Sequence, residues 1–535
     1  MNASPGCTRR QFLRGAALAA VGTAANAPIA GAAPLPASRP PGAQAPPSFE
    51  LDEATIGALQ EGLRTGRYTA RRLCELYLDR IAALDAQGPA LRSVIEVNPD
   101  ALAIAGRADQ ERRANRTRGP LHGIPVLIKD NIATADRMMT TAGSLALVGA
   151  RAPRDAGIVS RLREAGAVIL GKTNLSEWAN FRSSHSVSGW SGRGGRCLNP
   201  YALDRSPCGS SSGSGAAIAA NLAAVAVGTE TDGSIVCPAS ATSLVGIKPT
   251  LGLLSAAGIV PIAHSQDTAG PMARTVTDAA LLLGALAGVD YASALDPNGL
   301  RGARIGVARQ HFFGYSHEAD RLVEAALDVM RQAGAVIVDP ADIPHAGEYD
   351  DSELTVLLYE FKADLSRYLA DWAPGAPVAS LADIVAFNER TADREMPYFG
   401  QDILLSAANK GPLTEPEYQA ALAKNRRLSR DEGLDAVFAE QRLDAIVAPT
   451  GSPPWTTDLV NGDHFLGASS TPAAVAGYPS VSVPAGFAFG LPVGISFIGR
   501  ERADAALIRL AYAFERAAAH RRPPRFLPTA DLSAR

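Results

Sequence analysis

Residue types suited to hydrolytic chemistry are concentrated between Pro207 and Pro238, in a segment that is rich in serine and glycine and poor in charge. It contains two clusters of small residues, separated by an apolar run from Ala216 to Val227. Small residues let another molecule approach the main chain closely. A flexible linker would be polar throughout, so the apolar run argues against one. The segment is predicted to form two loops of a site, joined by a packed helix and strand.

A nucleophilic serine needs a base within hydrogen-bond reach and donors for the developing oxyanion. None of the six lysines has a serine three residues before it, which excludes the Ser-x-x-Lys arrangement of penicillin-binding proteins. No Gly-Lys-Ser/Thr follows the serine cluster, which excludes a phosphate-binding loop. Lys129 ends the apolar run Val126–Ile128. Burial there would lower its pKa from the usual value of about 10.4, so that a neutral amine could act as a base.

A second arrangement competes with a lysine base. Gly209, Ser211 and Gly213 satisfy the pattern Gly-x-Ser-x-Gly, which in α/β-hydrolases places the serine on a strand-to-helix elbow. His264 or His464 would then be the base. The residues before the pattern, Leu203–Cys208, do not resemble a strand, which weighs against this alternative.

Four motifs occur together in one order along the chain. They are Gly123–Asn131 (GIPVLIKDN), Cys208–Ser214 (CGSSSGS), Gly228–Ile235 (GTETDGSI) and Gly246–Thr250 (GIKPT). In this combination the chain resembles the amidase-signature hydrolases, from about Thr69 to Thr277 and again from Leu443 to Glu515.

The resemblance implies a Ser-Ser-Lys triad. Ser234 matches the nucleophile, Ser210 the bridging serine and Lys129 the base. In this family the bridging serine follows a cis peptide, which here would join Gly209 to Ser210. The other two lysines in the matching regions, Lys172 and Lys248, are expected to be structural.

The resemblance also implies an oxyanion hole from four backbone N–H groups, those of Thr231, Asp232, Gly233 and Ser234. Ser211 and Asp232 are candidate substrate-binding side chains. Asp232 stands where the family usually has glycine, and could either bind an amine or amide group of the substrate or cap a turn. Further departures are Glu230 for the usual aspartate, and Cys208 and Ser212 for glycine.

The segments Gly228–Pro238 and Asn199–Arg205 resemble the bacterial peptide amidases, which release ammonia from C-terminally amidated peptides. The expected function is therefore hydrolysis of a carboxamide, with peptide C-terminal amides first. Alternatives are an amidase or esterase for aryl or acyl amides, a protein like the amidase-type subunit of the tRNA-dependent amidotransferases, and a non-catalytic binding protein. A non-catalytic protein would not be expected to keep Lys129, Ser210 and Ser234 together.

The N-terminus reads as an export signal. Arg9 and Arg10 form a twin-arginine pair, followed by a weakly apolar run from Gly15 to Ala30 and small-residue cleavage candidates. This order predicts export to the periplasm or the exterior through the twin-arginine pathway, with residues 1–33 as the signal peptide. Beyond the signal, no run reaches the roughly 18 apolar residues that a membrane span requires.

Composition limits the partners. The formal net charge is −3 and no basic block is present, so nucleic acid is not expected as a partner. No cofactor motif and no Cys/His metal spacing occurs, and a monomer is expected. The cysteines after the signal favour isolated buried thiols, although an oxidising compartment would allow three full pairings; they are Cys74, Cys197, Cys208 and Cys237.

Strands alternate with helices along most of the chain, which predicts an α/β architecture. The resemblance implies a single large domain whose central mixed β-sheet is covered by helices on both sides. The predicted organisation is a Pro-rich linker over 34–48 and an amidase domain over 49–535. Within the domain we expect a signature core at about 119–290, a variable substrate region at about 300–440 and a C-terminal part of the fold at about 441–535.

Overall fold

Short apolar runs of the sequence form the strands of a mixed sheet. The computed structural model describes residues 48–534, so the predicted signal peptide and nearly all of the predicted linker lie outside the described part. The strands within it are β1 Val94–Val97, β2 Pro125–Lys129, β3 Val168–Thr173, β4 Trp190–Ser191, β5 Gly195–Arg196, β6 Val225–Glu230, β7 Val245–Lys248, β8 Thr268–Ala273, β9 Arg304–Val307, β10 Val336–Val338, β11 Ala445–Pro449, β12 Ser480–Ala488 and β13 Leu491–Ile498.

Eleven of the described strands form one sheet in the order β1-β3-β2-β6-β8-β7-β12-β13-β11-β9-β10, and β4 pairs only with β5. Strand β2 is parallel to both β3 and β6, whereas β8, β7, β12 and β13 continue the sheet in antiparallel pairs. Parallel neighbours end at the same edge of a sheet. Ile128 pairs with Val227, so the residues that follow them, Lys129 and Gly228–Thr229, lie side by side.

Sixteen α-helices of the described chain surround the sheet or cover one region of it. They are α1 Ile56–Arg64, α2 Ala70–Arg80, α3 Ala101–Arg113, α4 Gly157–Glu164, α5 Ser212–Ala219, α6 Val236–Ala241, α7 Val276–Ala287, α8 His317–Gln332, α9 Asp350–Trp372, α10 Leu381–Arg390, α11 Ala392–Glu395, α12 Asp402–Ala408, α13 Pro416–Arg426, α14 Asp435–Gln441, α15 Thr471–Ala476 and α16 Asp504–Ala518. The predicted α/β fold is confirmed.

Helix starts follow local side-chain chemistry. Thr69 is the N-cap of α2, since its hydroxyl accepts a hydrogen bond from the backbone N–H of Arg72 at 3.0 Å. The last helix has Ala503, not Asp504, in the N-cap position. Asp504 is instead the first helical residue. Its buried carboxylate accepts from the backbone N–H and the hydroxyl of Thr250, at 2.9 and 2.6 Å.

The helix that leaves the serine loop is buried on every side. A helix of small residues was predicted over Ser214–Ala224, and α5 covers Ser212–Ala219. It packs against β2, β3, β6 and β8. A side chain at Gly213 would lie 2.3 Å from the carbonyl oxygen of Ser93, so only glycine allows this approach. The small residues of the segment serve close packing rather than flexibility.

The polar region between 300 and 440 contains most of the helices that do not flank the sheet. Two of these helices, α9 and α13, pack against each other. The second continues as a π-helix over Arg427–Leu434. Across residues 48–534, no helix combines the length and apolar character that a bilayer crossing requires.

Candidate active site

Lys129 is a fully buried lysine at the end of β2, with 0% of its surface exposed. Its Nζ lies 2.7 Å from Ser210 Oγ, 2.9 Å from Thr229 Oγ1 and 3.2 Å from the carbonyl oxygen of Thr229. Asn131 also donates to Thr229 Oγ1, at 2.9 Å. The amine is therefore held by the serine loop, through Ser210, and by strand β6, through Thr229.

Burial lowers the pKa of Lys129 to about 7, although the charges of Asp267 and Glu230 oppose the shift. A neutral amine has two N–H groups and one lone pair. The carbonyl oxygen and the hydroxyl of Thr229 can accept both N–H groups. The lone pair is then left for the proton of Ser210, which is the arrangement that a general base requires.

The bridging position is built by an unusual backbone. The peptide between Gly209 and Ser210 is cis, as the resemblance implied. Ser210 is completely buried, and its carbonyl oxygen accepts a hydrogen bond from the backbone N–H of Ser176 at 3.1 Å. Its hydroxyl therefore has a fixed direction, towards Lys129.

Ser234 lies in the turn between β6 and α6 and keeps 7% of its surface exposed. Its carbonyl oxygen accepts a hydrogen bond from the backbone N–H of Ser211 at 3.1 Å. Ser211 directly follows Ser210, so this bond joins the two predicted serine segments next to the position of the base.

The loop from Thr231 to Ser234 is held from behind. Glu230 Oε2 accepts hydrogen bonds from the backbone N–H groups of Ile235 and Val236, at 2.7 and 3.0 Å. Gly233 adopts a φ of 78°, in the left-handed region. Across residues 48–534, the N–H groups of Asp232, Gly233 and Ser234 donate no hydrogen bond to another part of the chain. Consecutive unpaired N–H groups form a cradle for an anion.

Two side chains from the loop before β8 contact the same turn. Thr231 donates its hydroxyl to Asp267 Oδ1 at 2.5 Å. Gln266 donates to the carbonyl oxygen of Thr231 at 3.3 Å and to Glu353 Oε1 at 2.8 Å. The turn is thereby linked to helix α9 of the variable region.

Asp232 is tied to helix α15. Its Oδ2 accepts a hydrogen bond from Thr471 Oγ1 at 2.7 Å. Burial raises its pKa, and burial together with the nearby charge of Asp232 holds the pKa of Glu353 well above its usual range. Of the two roles considered for Asp232, this contact supports the one that fastens a turn.

Ser211 is used internally. It is completely buried, donates to the carbonyl oxygen of Thr229 at 3.0 Å and accepts from the backbone N–H of Thr229 at 3.2 Å. This position argues against both the predicted contact of Ser211 with substrate and its alternative role as an elbow nucleophile. The residue instead fastens the serine segment to β6.

A disulfide joins the two serine segments. Cys208 and Cys237 are bonded with an S–S distance of 1.99 Å and a Cα–Cα distance of 6.0 Å. The expectation of isolated thiols is therefore wrong for this pair, and it is confirmed for Cys74 and Cys197, which are free and buried.

Among the described residues, His264, the first of the two candidate histidine bases, is paired with carboxylates rather than with a serine. His264 Nδ1 lies 2.7 Å from Asp364 Oδ2, and its Nε2 lies 3.4 Å from Glu360 Oε1. The hydrogen bond to Asp364 raises the pKa of His264. In the described part of the chain these three residues are the one group with the spacing of metal ligands. Both ring nitrogens face carboxylates, so the arrangement is explained as an ion-pair cluster.

Several supporting residues were not predicted. Thr229 and Asn131 contribute the remaining contacts around the lysine, and Asn131 could have been found because it ends the motif Gly123–Asn131 that contains Lys129. Gln266 and Asp267 are contributed by a distant loop, and no local pattern marks them.

Comparison with known proteins places this geometry in a family. The Amidase family profile matches residues 72–508. The chain belongs to the amidase signature family. This amidase is 44% identical over 505 residues to a probable amidase of Arabidopsis thaliana, covering 90% of this chain and 93% of that protein.

The solved structures include close matches. The crystal structure of the native peptide amidase from Stenotrophomonas maltophilia is 51% identical, with a TM-score of 0.86, and the match covers 90% of this chain and 100% of that one. A putative amidase of Schizosaccharomyces pombe is 36% identical over 526 residues, covering 90% of this chain and 88% of that protein. This amidase is an amide-hydrolysing enzyme of the peptide amidase kind.

Proposed function

We propose that this amidase is an exported serine hydrolase that releases ammonia from the C-terminal carboxamide of peptides through a Ser-Ser-Lys triad. The observation that carries the mechanism is the 2.7 Å contact between Lys129 Nζ and Ser210 Oγ, at a lysine whose pKa burial lowers to about 7. The similarity to a peptide amidase supports the substrate class, and the twin-arginine pattern at Arg9 and Arg10 supports export.

Acylation starts from neutral Lys129. The amine takes the proton of Ser210 while Ser210 takes the proton of Ser234, and Ser234 Oγ attacks the amide carbon. The carbonyl oxygen becomes an oxyanion in the cradle of the N–H groups of Thr231, Asp232, Gly233 and Ser234. Such donors act most strongly on charge that develops in the transition state.

The proton then returns to the leaving group. Protonated Lys129 passes it through Ser210 to the amide nitrogen, the C–N bond breaks, and ammonia leaves an acyl ester on Ser234. A water molecule, deprotonated along the same path, attacks the ester. The carboxylate product leaves and Ser234 regains its proton.

The decisive experiment measures ammonia release across matched substrates. The panel contains peptide amides, amino-acid amides, aryl amides and fatty amides, with the corresponding peptide acids as blanks. We expect the highest kcat/KM for peptide amides and labelling of Ser234 by an activated fluorophosphonate. Equal or faster turnover of aryl or fatty amides would overturn the substrate class, and labelling of Ser211 in place of Ser234 would overturn the triad.

A further inference from the structure

The disulfide between Cys208 and Cys237 lies within the catalytic segments themselves. Cys208 comes two residues before Ser210, and Cys237 comes three residues after Ser234, in the first turn of α6. The S–S bond therefore connects the segment of the bridging serine directly to the segment of the nucleophile. The two residues are 29 positions apart in sequence.

Hydrogen bonds also join these two segments directly. The backbone N–H of Ser211 donates to the carbonyl oxygen of Ser234, and the side chain of Ser211 exchanges two hydrogen bonds with the backbone of Thr229. These bonds keep the segments near each other without the disulfide. None of them joins the hydroxyl of Ser210 to the hydroxyl of Ser234.

The disulfide packs against Trp455, a side chain that lines an open cavity. Cys208 and Cys237 are 4% and 9% exposed, and they pack against Trp455. Trp455 also lines a cavity of about 830 Å³ beside the loop 452–466. Its indole nitrogen donates to Asp463 at 3.1 Å. The disulfide therefore lies next to a side chain that lines a cavity open to solvent.

We propose that the Cys208–Cys237 disulfide positions the two catalytic serine segments, and that its reduction by a dithiol reversibly suppresses amide hydrolysis. In the exchange, a dithiol thiolate attacks one sulfur and forms a mixed disulfide, which the second thiol of the reductant resolves. The reductant is oxidised to a cyclic disulfide, and Cys208 and Cys237 each gain one electron and one proton. Oxidation by a disulfide reagent reverses the step.

The expected effect is on the rate of chemistry. A displacement of about 1 Å between reacting groups can lower a rate by about 100-fold. With the Ser211–Ser234 hydrogen bond still present, we expect kcat to fall roughly tenfold to 100-fold on reduction. KM changes little because neither cysteine is placed to contact the substrate.

The experiment uses the full chain with and without dithiothreitol, and mass spectrometry of alkylated thiols reports the state of the pair. The double variant Cys208→Ala/Cys237→Ala should show the same loss of kcat and no further response to the reductant. The matched control, Cys74→Ala/Cys197→Ala, removes the two free cysteines and should keep both the activity and the response to reductant.

Folding and chemistry are separated by two further readouts. Circular dichroism should remain unchanged on reduction, and the rate at which a fluorophosphonate labels Ser234 should fall with kcat and recover on reoxidation. Full activity of the fully reduced enzyme would overturn the proposal, and so would a loss of activity that only follows unfolding. The proposal rests on the Ser-Ser-Lys function, which absence of labelling at Ser234 in the oxidised enzyme would refute. Equal labelling before and after reduction would refute only the positioning role of the disulfide.

Discussion

Burial gives Lys129 the proton affinity of a base that works near neutral pH. Exposed lysines remain charged until about pH 10.4, and a charged amine cannot accept the proton of Ser210. At this site desolvation brings the pKa to about 7. In the proposed mechanism, the apolar residues of β2 thus contribute to the chemistry, because they hold the amine away from water.

Replacing the base tests this directly. Lys129→Met keeps most of the side-chain volume and removes the proton acceptor, so we expect kcat to fall by about 10²–10⁴-fold with the fold intact. Ammonia release and circular dichroism measure the two quantities. Wild-type activity in this variant would exclude the Ser-Ser-Lys scheme.

The dependence of kcat/KM on pH should report the titration of Lys129. Because the neutral form is active, kcat/KM should rise with pH through about 7 and level off above it. The carboxylate of Asp267 raises the pKa of Lys129. Asp267→Asn removes that charge and keeps an acceptor for Thr231, so the acid limb should move to lower pH. An unchanged or higher midpoint would contradict this assignment.

Helix α9 connects the variable region to the candidate active site through the loop before β8. Three acidic residues along the helix bind the loop before β8: Glu353 accepts from Gln266, Glu360 from Ser265 and Asp364 from His264. Gln266 in turn donates to the carbonyl oxygen of Thr231. Helix α9 therefore supports the backbone of the loop from Thr231 to Ser234 indirectly, because it binds the loop before β8.

Gln266→Leu removes this support without touching the reacting atoms. The turn at Thr231 loses a donor, so we expect kcat to fall roughly tenfold while KM stays close to the wild-type value. The matched control is Gln419→Leu, which removes an exposed contact to the carbonyl oxygen of Leu413. Equal losses in both variants would show that α9 does not support the loop.

The family resemblance, which short local motifs carry, pairs Lys129 with Ser210. The structure places Nζ and Oγ of these residues 2.7 Å apart, although they are 81 positions apart in sequence. The contact between Gln266 and Glu353 joins residues 87 positions apart and has no local pattern. The disulfide was open for a different reason, since four cysteines allow three pairings and only the fold selects one.

The first and last segments of the described chain contact each other. Arg521 forms an ion pair with Glu53 at 2.8 Å and donates to the carbonyl oxygens of Ser243 and Ala219, at 2.9 and 3.2 Å. One side chain thus joins the segment before α1, the segment after α16 and the core next to α5.

Arg521→Met should destabilise the fold without altering the chemistry. It leaves buried carbonyl groups without a donor, which costs about 2–3 kcal/mol. Urea unfolding measures this free energy, and kcat at low temperature should be unchanged. Arg525→Met breaks only an exposed pair with Asp531, and should cost less than about 1 kcal/mol. Equal stability of the two variants would contradict the role of Arg521.

The parallel pairing of β2 with β6 has a consequence for the chain while it folds. Lys129 and Ser210 are separated by 81 residues, and Lys129 and Thr229 by 100, so neither contact exists until the central strands have aligned. In the proposed mechanism, a chain that is still folding therefore lacks the contact between Lys129 and Ser210 and cannot act on amides around it. After dilution from denaturant, the recovered turnover should measure the fraction of molecules in which the central strands have aligned.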